Sequence, residues 1–69
     1  MAYRIKAIRK SKGMSQTALS KASNVSRATI WKLETGADEV TTSTTLLRIA
    51  KALDVPVGDL FLDQDVQQH

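Results

Sequence analysis

The stretch from residue 15 to residue 36 constrains the fold more than any other part of the chain. It predicts two short helices, Gln16–Ala22 and Arg27–Thr35, joined by a tight turn at Ser23-Asn24-Val25. A serine stands directly before each predicted helix, where its hydroxyl can accept a backbone N–H group that has no partner at a helix start. Asn24 tolerates the left-handed backbone conformation that a sharp turn needs.

The second predicted helix has two different faces. Ile30 and Leu33 lie three residues apart and therefore share one face, which we expect to be buried. The opposite face carries short, polar and basic side chains: Arg27, Ala28, Thr29 and Lys32. A well-supported helix with such an exposed face fits the major groove of DNA. The pattern therefore predicts a DNA-binding helix-turn-helix.

This stretch resembles the helix-turn-helix of the Cro/cI-type phage-repressor family, also called the xenobiotic-response-element-like family. The residues that carry the resemblance are Ser15-Gln16, Leu19, Val25-Ser26-Arg27, Thr29-Ile30, Leu33-Glu34 and Gly36. The likeness continues through residues 46–53 and 55–61 and covers roughly residues 3–62. It implies a sequence-specific transcriptional regulator, and repression is the role we expect. The resemblance also implies that the protein binds an inverted-repeat operator in double-stranded DNA as a homodimer.

Apolar spacing predicts three further helices, and no segment has the two-residue alternation of a strand. Helix 1 is predicted over residues 3–12, helix 4 over Thr42–Leu53 and helix 5 over Val57–Leu62. The expected fold is therefore all-α, a compact bundle of five helices. The 69 residues are expected to form a single domain with a core at about 3–62 and a polar tail at 63–69.

Charge is divided unevenly along the chain, although the overall net charge is only +3. Residues 1–36 hold eight Lys and Arg side chains and one Glu, a net charge of +7. Residues 37–69 hold two basic and six acidic side chains, a net charge of −4. Such runs are often solvated helix faces, but the basic half coincides with the predicted helix-turn-helix. We therefore expect it to face a polyanion.

Several function classes lack the residues that they need. The chain has no cysteine, and its one histidine is the last residue, so no catalytic triad or metal site is predicted. We predict no enzymatic activity and no cofactor. The absence of cysteine suits a reducing cytosol, and no apolar run approaches the length of a membrane span. The predicted location is cytoplasmic, with no membrane association.

The candidate DNA contacts divide into those that position the protein and those that read bases. Gln16 begins helix 2, where backbone N–H groups favour a phosphate, and the resemblance implies that it contacts the DNA backbone and supports the recognition helix. Arg27 can bind the O6/N7 edge of guanine, or alternatively a phosphate, and Ala28 can lie against a thymine methyl. Thr29 and Lys32 can reach phosphate, and Lys32 can also reach a base.

Two further residues are candidates for DNA contact. Ser26 is the predicted N-cap of the recognition helix and lies where that helix approaches DNA. Trp31 follows Ile30, so it points off the core face, and three roles compete for it. It could pack over helix 4, lie on the sugar–phosphate backbone or contact a thymine methyl; packing is favoured because Trp is mostly buried on average.

Other roles follow from the resemblance. It implies an ion pair between Arg9 and Glu34 that ties helix 1 to the end of helix 3, since a planar guanidinium can bind a carboxylate through two hydrogen bonds. Leu47 lies off the apolar stripe of helix 4, and Phe61 and Leu62 form an apolar pair at the end of the domain. The resemblance favours a two-fold dimer built from this end, which makes these three residues candidate interface residues.

The loop at residues 36–42 departs from the family pattern. Asp38 and Glu39 stand where the resemblance implies Lys, Arg or Asn near a phosphate, and the loop is about one residue longer. Because phosphate repels carboxylates, this loop points away, weakens binding or contacts another molecule. Two alternatives therefore stay open: an antitoxin-type or controller-type regulator whose acidic half also binds a protein partner, and an interaction module that does not bind DNA.

Overall fold

Four α-helices and one short 3₁₀ helix make up the fold in the computed structural model, which describes residues 3–38 and 40–61. The α-helices are Ile5–Ser11 (α1), Gln16–Ser23 (α2), Arg27–Thr35 (α3) and Ser43–Leu53 (α4), and the 3₁₀ helix is Val57–Leu60. Within the described ranges the only strand-like pairing is one isolated antiparallel bridge. The all-α prediction is confirmed, but the predicted five helices are corrected to four α-helices and a single 3₁₀ turn.

The isolated bridge explains where the prediction failed. Tyr3 pairs with Phe61 through the backbone, and the neighbouring Arg4 N–H donates to the Leu60 carbonyl at 2.6 Å. Their aromatic rings lie 5.6 Å apart at an angle of 49°. Tyr3 therefore pairs with Phe61 and is not part of α1, which begins at Ile5. Phe61 has an extended backbone at a position where helix 5 was expected to continue. Leu62, its predicted last residue, lies outside the described residues.

The turn between α2 and α3 begins one residue later than expected. Ser23 is the last residue of α2 and is buried, and its hydroxyl donates to the Leu19 carbonyl at 2.7 Å. This bond satisfies a polar side chain at a position where water is excluded. Asn24 then takes the left-handed conformation expected of it, with φ of 59°.

Three of the four α-helices begin with a side-chain cap that local sequence specifies, whereas α1 has no such cap. Ser15 accepts from the Ala18 N–H at 3.0 Å, Ser26 from the Thr29 N–H at 3.2 Å, and Thr42 from the Thr45 N–H at 3.2 Å. These caps begin α2, α3 and α4, and a cap of this kind stabilises a helix by about 0.5–2 kcal/mol.

The hydrophobic core draws on every element of the fold. Its fully buried side chains are Ile5, Leu19, Ile30, Leu33, Ile49, Leu53 and Leu60. Helix 4 was expected to bury one apolar stripe, and its four residues are all buried in α4: Leu46, Ile49, Ala50 and Leu53. Because α2 packs against α3 and α4, and α1 packs against α3, the inner side of α3 is supported by two helices. No helix in the described part of the chain has the length and apolar character needed to cross a membrane.

Stability is expected to depend strongly on Ile49, which is completely buried in α4. Ile49→Ala should lower the free energy of unfolding by about 2–5 kcal/mol and Ile49→Val by about 0.5–1.5 kcal/mol, because a cavity adds to the lost apolar burial. Arg48→Ala, at the exposed neighbouring position, is the control and should change the free energy of unfolding by no more than about 0.5 kcal/mol. Urea unfolding followed by circular dichroism measures all three; equal losses for the two Ile49 variants would contradict this role.

Candidate nucleic-acid interface

α3 presents a polar and basic surface to solvent while its other side lies in the core. Ile30 and Leu33 are buried, as their spacing predicted. The exposed residues of the helix include Arg27, Ala28, Trp31 and Lys32, and Thr29 is half-buried between the two sides. Since the inner side is fixed by packing, the exposed side chains project from a helix whose orientation is fixed before any ligand binds.

Trp31 does not take the packing role that was favoured for it. Its side chain is 51% exposed, which is unusual for the largest apolar residue type. Ile30 and Leu33 occupy the inward side of α3, and each residue of an α-helix is rotated by about 100° from the one before it. Trp31 therefore lies on the surface beside Lys32, and contact with the sugar–phosphate backbone or with a thymine methyl stays a prediction.

A buried polar network supports α3 at its end. The Arg9 Nε donates to Glu34 Oε2 at 2.8 Å and its Nη2 donates to Glu34 Oε1 at 3.1 Å, so the expected ion pair is formed with two hydrogen bonds. The Arg9 Nη1 also donates to the Met14 carbonyl at 2.8 Å. Gln16 Nε2 donates to Glu34 Oε1 at 3.0 Å. Through these bonds α1 and the first residue of α2 are both tied to the last turn of α3.

The network keeps the carboxyl group of Glu34 ionised. Burial alone raises the pKa of Glu34, but hydrogen bonds from Arg9 and Gln16 and the charges of Arg9 and Lys6 outweigh it and hold the pKa below its usual value. For Arg9 the shift has the opposite sign. The hydrogen bond to Glu34 raises the pKa of Arg9 above its usual value, although burial alone would lower it. Both groups are thus charged at neutral pH.

The inward bond of Gln16 bears on its expected DNA contact. Its side-chain amide binds Glu34, so the support of the recognition helix is visible directly. The contact with the DNA backbone stays a prediction. It would use the backbone N–H groups in the first turn of α2, which point out of the helix end.

At the start of α3, two hydroxyl groups are bonded to each other. The Ser26 hydroxyl donates to Thr29 Oγ1 at 2.9 Å while it accepts from the Thr29 N–H. The single proton of Ser26 is therefore occupied, and a bond from Ser26 to a phosphate must compete with this one. Thr29 accepts in that bond, so its own proton is free to be donated outward.

Arg27 makes a contact that the sequence did not reveal. Its Nη1 donates to Oγ1 of Thr17 at 3.1 Å, which joins the first residue of α3 to the second residue of α2. Both side chains are exposed. Because ten positions and a turn separate the two residues, no local sequence pattern marks the pair.

The loop between α3 and α4 borders this surface. A cleft of about 300 Å³ separates the end of α3 from the start of α4, and it is lined by Thr29, Lys32, Leu33, Asp38, Val40, Thr41, Thr42 and Thr45. Asp38 thus lies beside two of the candidate DNA contacts, and its Oδ1 accepts from the Val40 N–H at 3.0 Å. Glu39 lies outside the described residues.

The candidate dimer residues keep apolar area exposed. Leu47 is 55% exposed and Phe61 is 37% exposed, whereas Leu62 lies outside the described residues. Val40, which the sequence did not single out, is also exposed, at 88%.

In the described ranges of the chain no three His, Cys, Asp or Glu residues come together in a group that could hold a metal ion.

Comparison with known proteins gives one match to a family. The family model described as helix-turn-helix matches residues 5–60, which is most of the chain. The matched region includes all four α-helices and the 3₁₀ helix. No curated protein matches the chain with significant similarity.

The stability of the fold should depend on the charge of Glu34. Glu34→Gln leaves Arg9 without its buried counter-charge, so it should lower the free energy of unfolding by about 3–5 kcal/mol at neutral pH. Since the folded pKa of Glu34 is lowered, its contribution is present above the unfolded pKa of roughly 4.3 and is lost as pH falls through the folded value. The difference in the free energy of unfolding between wild type and Glu34→Gln should therefore become smaller at acidic pH.

Urea unfolding at a series of pH values from neutral to about 3 follows this difference as the pH falls below the unfolded pKa of Glu34. Asp54→Asn provides the control, because Asp54 is exposed and either side chain suits its left-handed backbone. If the loss of unfolding free energy in Glu34→Gln stays constant over the whole pH range, the charge of Glu34 does not contribute to stability.

Proposed function

Since the chain belongs to the Cro/cI-type helix-turn-helix family of DNA-binding transcriptional regulators, we propose that it is a repressor that binds an inverted-repeat operator as a homodimer. In this proposal α3 enters the major groove in each half-site. The half-sites are then about one helical turn, roughly 34 Å, apart. The protein acts by occupying DNA and excluding RNA polymerase, without catalysis.

The observation that carries the proposal is the exposed side of α3. It combines two basic side chains, Arg27 and Lys32, with the small side chain of Ala28, on a helix fixed from behind by core packing and by the Arg9–Glu34 network. A major groove is wide enough for such a helix, and small side chains let its backbone approach the bases. The net charge of +7 on residues 1–36 favours approach to a polyanion.

We assign reading and positioning to different residues. Arg27 reads guanine through two hydrogen bonds, and Ala28 lies against a thymine methyl. Thr29 donates its free hydroxyl proton to a phosphate, and Lys32 binds a phosphate or a base. The start of α2 at Gln16 binds a phosphate through its backbone N–H groups.

A homodimer is proposed because an inverted repeat presents the same half-site twice in two-fold symmetry. The exposed apolar side chains of Leu47 and Phe61 favour this arrangement, since a second copy would remove them from water. Leu62 belongs to the same proposed interface.

An antitoxin-type or controller-type regulator is the second candidate. Its support is the acidic half of the chain, where the exposed Asp38 stands close to the exposed apolar side chain of Val40. A basic protein that co-purifies stoichiometrically with the chain, and does so less with Asp38→Lys, would favour this candidate.

Fluorescence anisotropy tests the repressor proposal directly. DNA from upstream of the protein's own coding sequence is compared with a scrambled duplex over a series of salt concentrations. Tighter binding to the native fragment that persists as salt rises supports a sequence-specific regulator. Equal and weak binding of both duplexes that disappears with salt would refute it.

Base reading by Arg27 gives a sharper expectation. Arg27→Ala should weaken binding by about 1–3 kcal/mol at the preferred sequence and relax the preference at one base pair of each half-site. Lys51→Ala removes the same charge from an exposed position on α4, and it should leave base preference intact. Selection of bound duplexes from a randomised pool measures the preference for each variant. Unchanged preference in Arg27→Ala would exclude Arg27 as a reader.

The proposed dimer predicts an effect of a charge at Leu47. Leu47→Glu should shift the protein from twice the 7.6 kDa chain mass toward the monomer, because a charged group would be buried between the subunits. Ala22→Glu adds the same charge at an exposed position on α2 and is the control. Sedimentation equilibrium without DNA measures the masses. Equal masses for the two variants would remove Leu47 from the interface.

A further inference from the structure

The hydrogen bond between Arg27 and Thr17 joins the two helices of the motif at the ends where α2 and α3 begin. The Arg27 Nη1 lies 3.1 Å from Thr17 Oγ1. Both residues are exposed, so the bond adds little to the packing of the core. Its effect is to restrict a side chain that would otherwise sample many rotamers.

The geometry leaves Arg27 able to bind a base. A guanidinium group carries five N–H donors, and Thr17 takes one of them at Nη1. The edge formed by Nε and Nη2 stays available, and two parallel donors are what the O6 and N7 atoms of guanine require.

The partner is also of the right kind. A threonine hydroxyl is neutral, so it orients the guanidinium without cancelling its charge. Among the residues that the structure describes, no carboxylate pairs with Arg27, and the ion pair seen there joins Arg9 to Glu34. An acidic partner would have to be displaced before a base could be bound.

We infer that Thr17 is a positioning residue for base reading: its Oγ1 holds the Arg27 guanidinium in place before DNA binds, and it thereby sets how strongly the protein prefers guanine at the position that Arg27 reads. This inference rests on the proposed function. The physical reason is preorganisation, since a side chain that is already ordered loses less conformational entropy when it binds. A wrong base gains nothing from the same orientation, so the preference itself increases.

Two substitutions at position 17 separate the hydroxyl group from the shape of the side chain. Thr17→Val removes the acceptor but keeps the β-branched shape and a similar helix propensity. Thr17→Ser keeps the acceptor and removes a methyl group. The Arg27→Ala variant first identifies the base pair at issue. Binding constants are then measured by anisotropy for four duplexes that differ only at that base pair.

Thr17→Val should reduce the preference for guanine at that base pair about three- to tenfold, the effect of one hydrogen bond, and leave other positions unchanged. Thr17→Ser should restore most of the preference. In the Arg27→Ala background Thr17→Val should have no further effect on the relative binding of the four duplexes, because there is no guanidinium left to orient. Thermal unfolding checks that every variant is folded.

Three outcomes would overturn the inference. If Thr17→Val keeps the full preference while Arg27→Ala loses it, Arg27 reads the base but Thr17 does not position it. If Thr17→Val weakens all four duplexes equally, with or without Arg27, Thr17 contacts the backbone instead. If Arg27→Ala itself keeps the preference at every position, base reading by Arg27 fails and the inference fails with it.

Discussion

The buried pairing of Arg9 with Glu34 is the interaction on which the arrangement of the motif depends. It joins α1 to the end of α3, and the added bond from Gln16 brings in the start of α2. Burial of two charges is costly unless their hydrogen bonds are satisfied. The bidentate contact and the Met14 carbonyl meet this condition, and no buried side-chain polar atom in the described part of the chain lacks a partner. Removal of either charge would leave the other buried without compensation.

This network and the core constrain α3 from the same side. Ile30 and Leu33 anchor its inner face by apolar burial, while Glu34 fixes the rotation of its last turn. The opposite end is set by the Ser26 cap and by the bond from Arg27 to α2. With both ends fixed, the helix that carries the exposed side chains is oriented before DNA binds. Preorganisation of this kind lowers the entropy that binding must overcome.

The acidic loop shows how neighbouring parts of one surface can oppose each other. Asp38 lines the same cleft as Lys32 and Thr29, so a negative charge lies beside groups that are proposed to bind phosphate. Repulsion there would weaken every DNA sequence alike and would leave specificity to α3. The proposed reading residues, Arg27 and Ala28, begin α3 and do not line that cleft.

Local sequence patterns specify the helices of the motif, their caps and the apolar stripes. The helices, caps and stripes depend on residues at most four positions apart, where the period of a helix and the chemistry of a cap apply directly. The family follows from a pattern that covers roughly residues 3–62. The resemblance supplied the pairing of Arg9 with Glu34. Packing between separate elements determines the bridge of Tyr3 with Phe61, the inward bond of Gln16 and the exposure of Trp31. It also determines the bond between Thr17 and Arg27. These features arise where separate elements meet or leave a side chain uncovered, and no local spacing rule specifies which surfaces will meet.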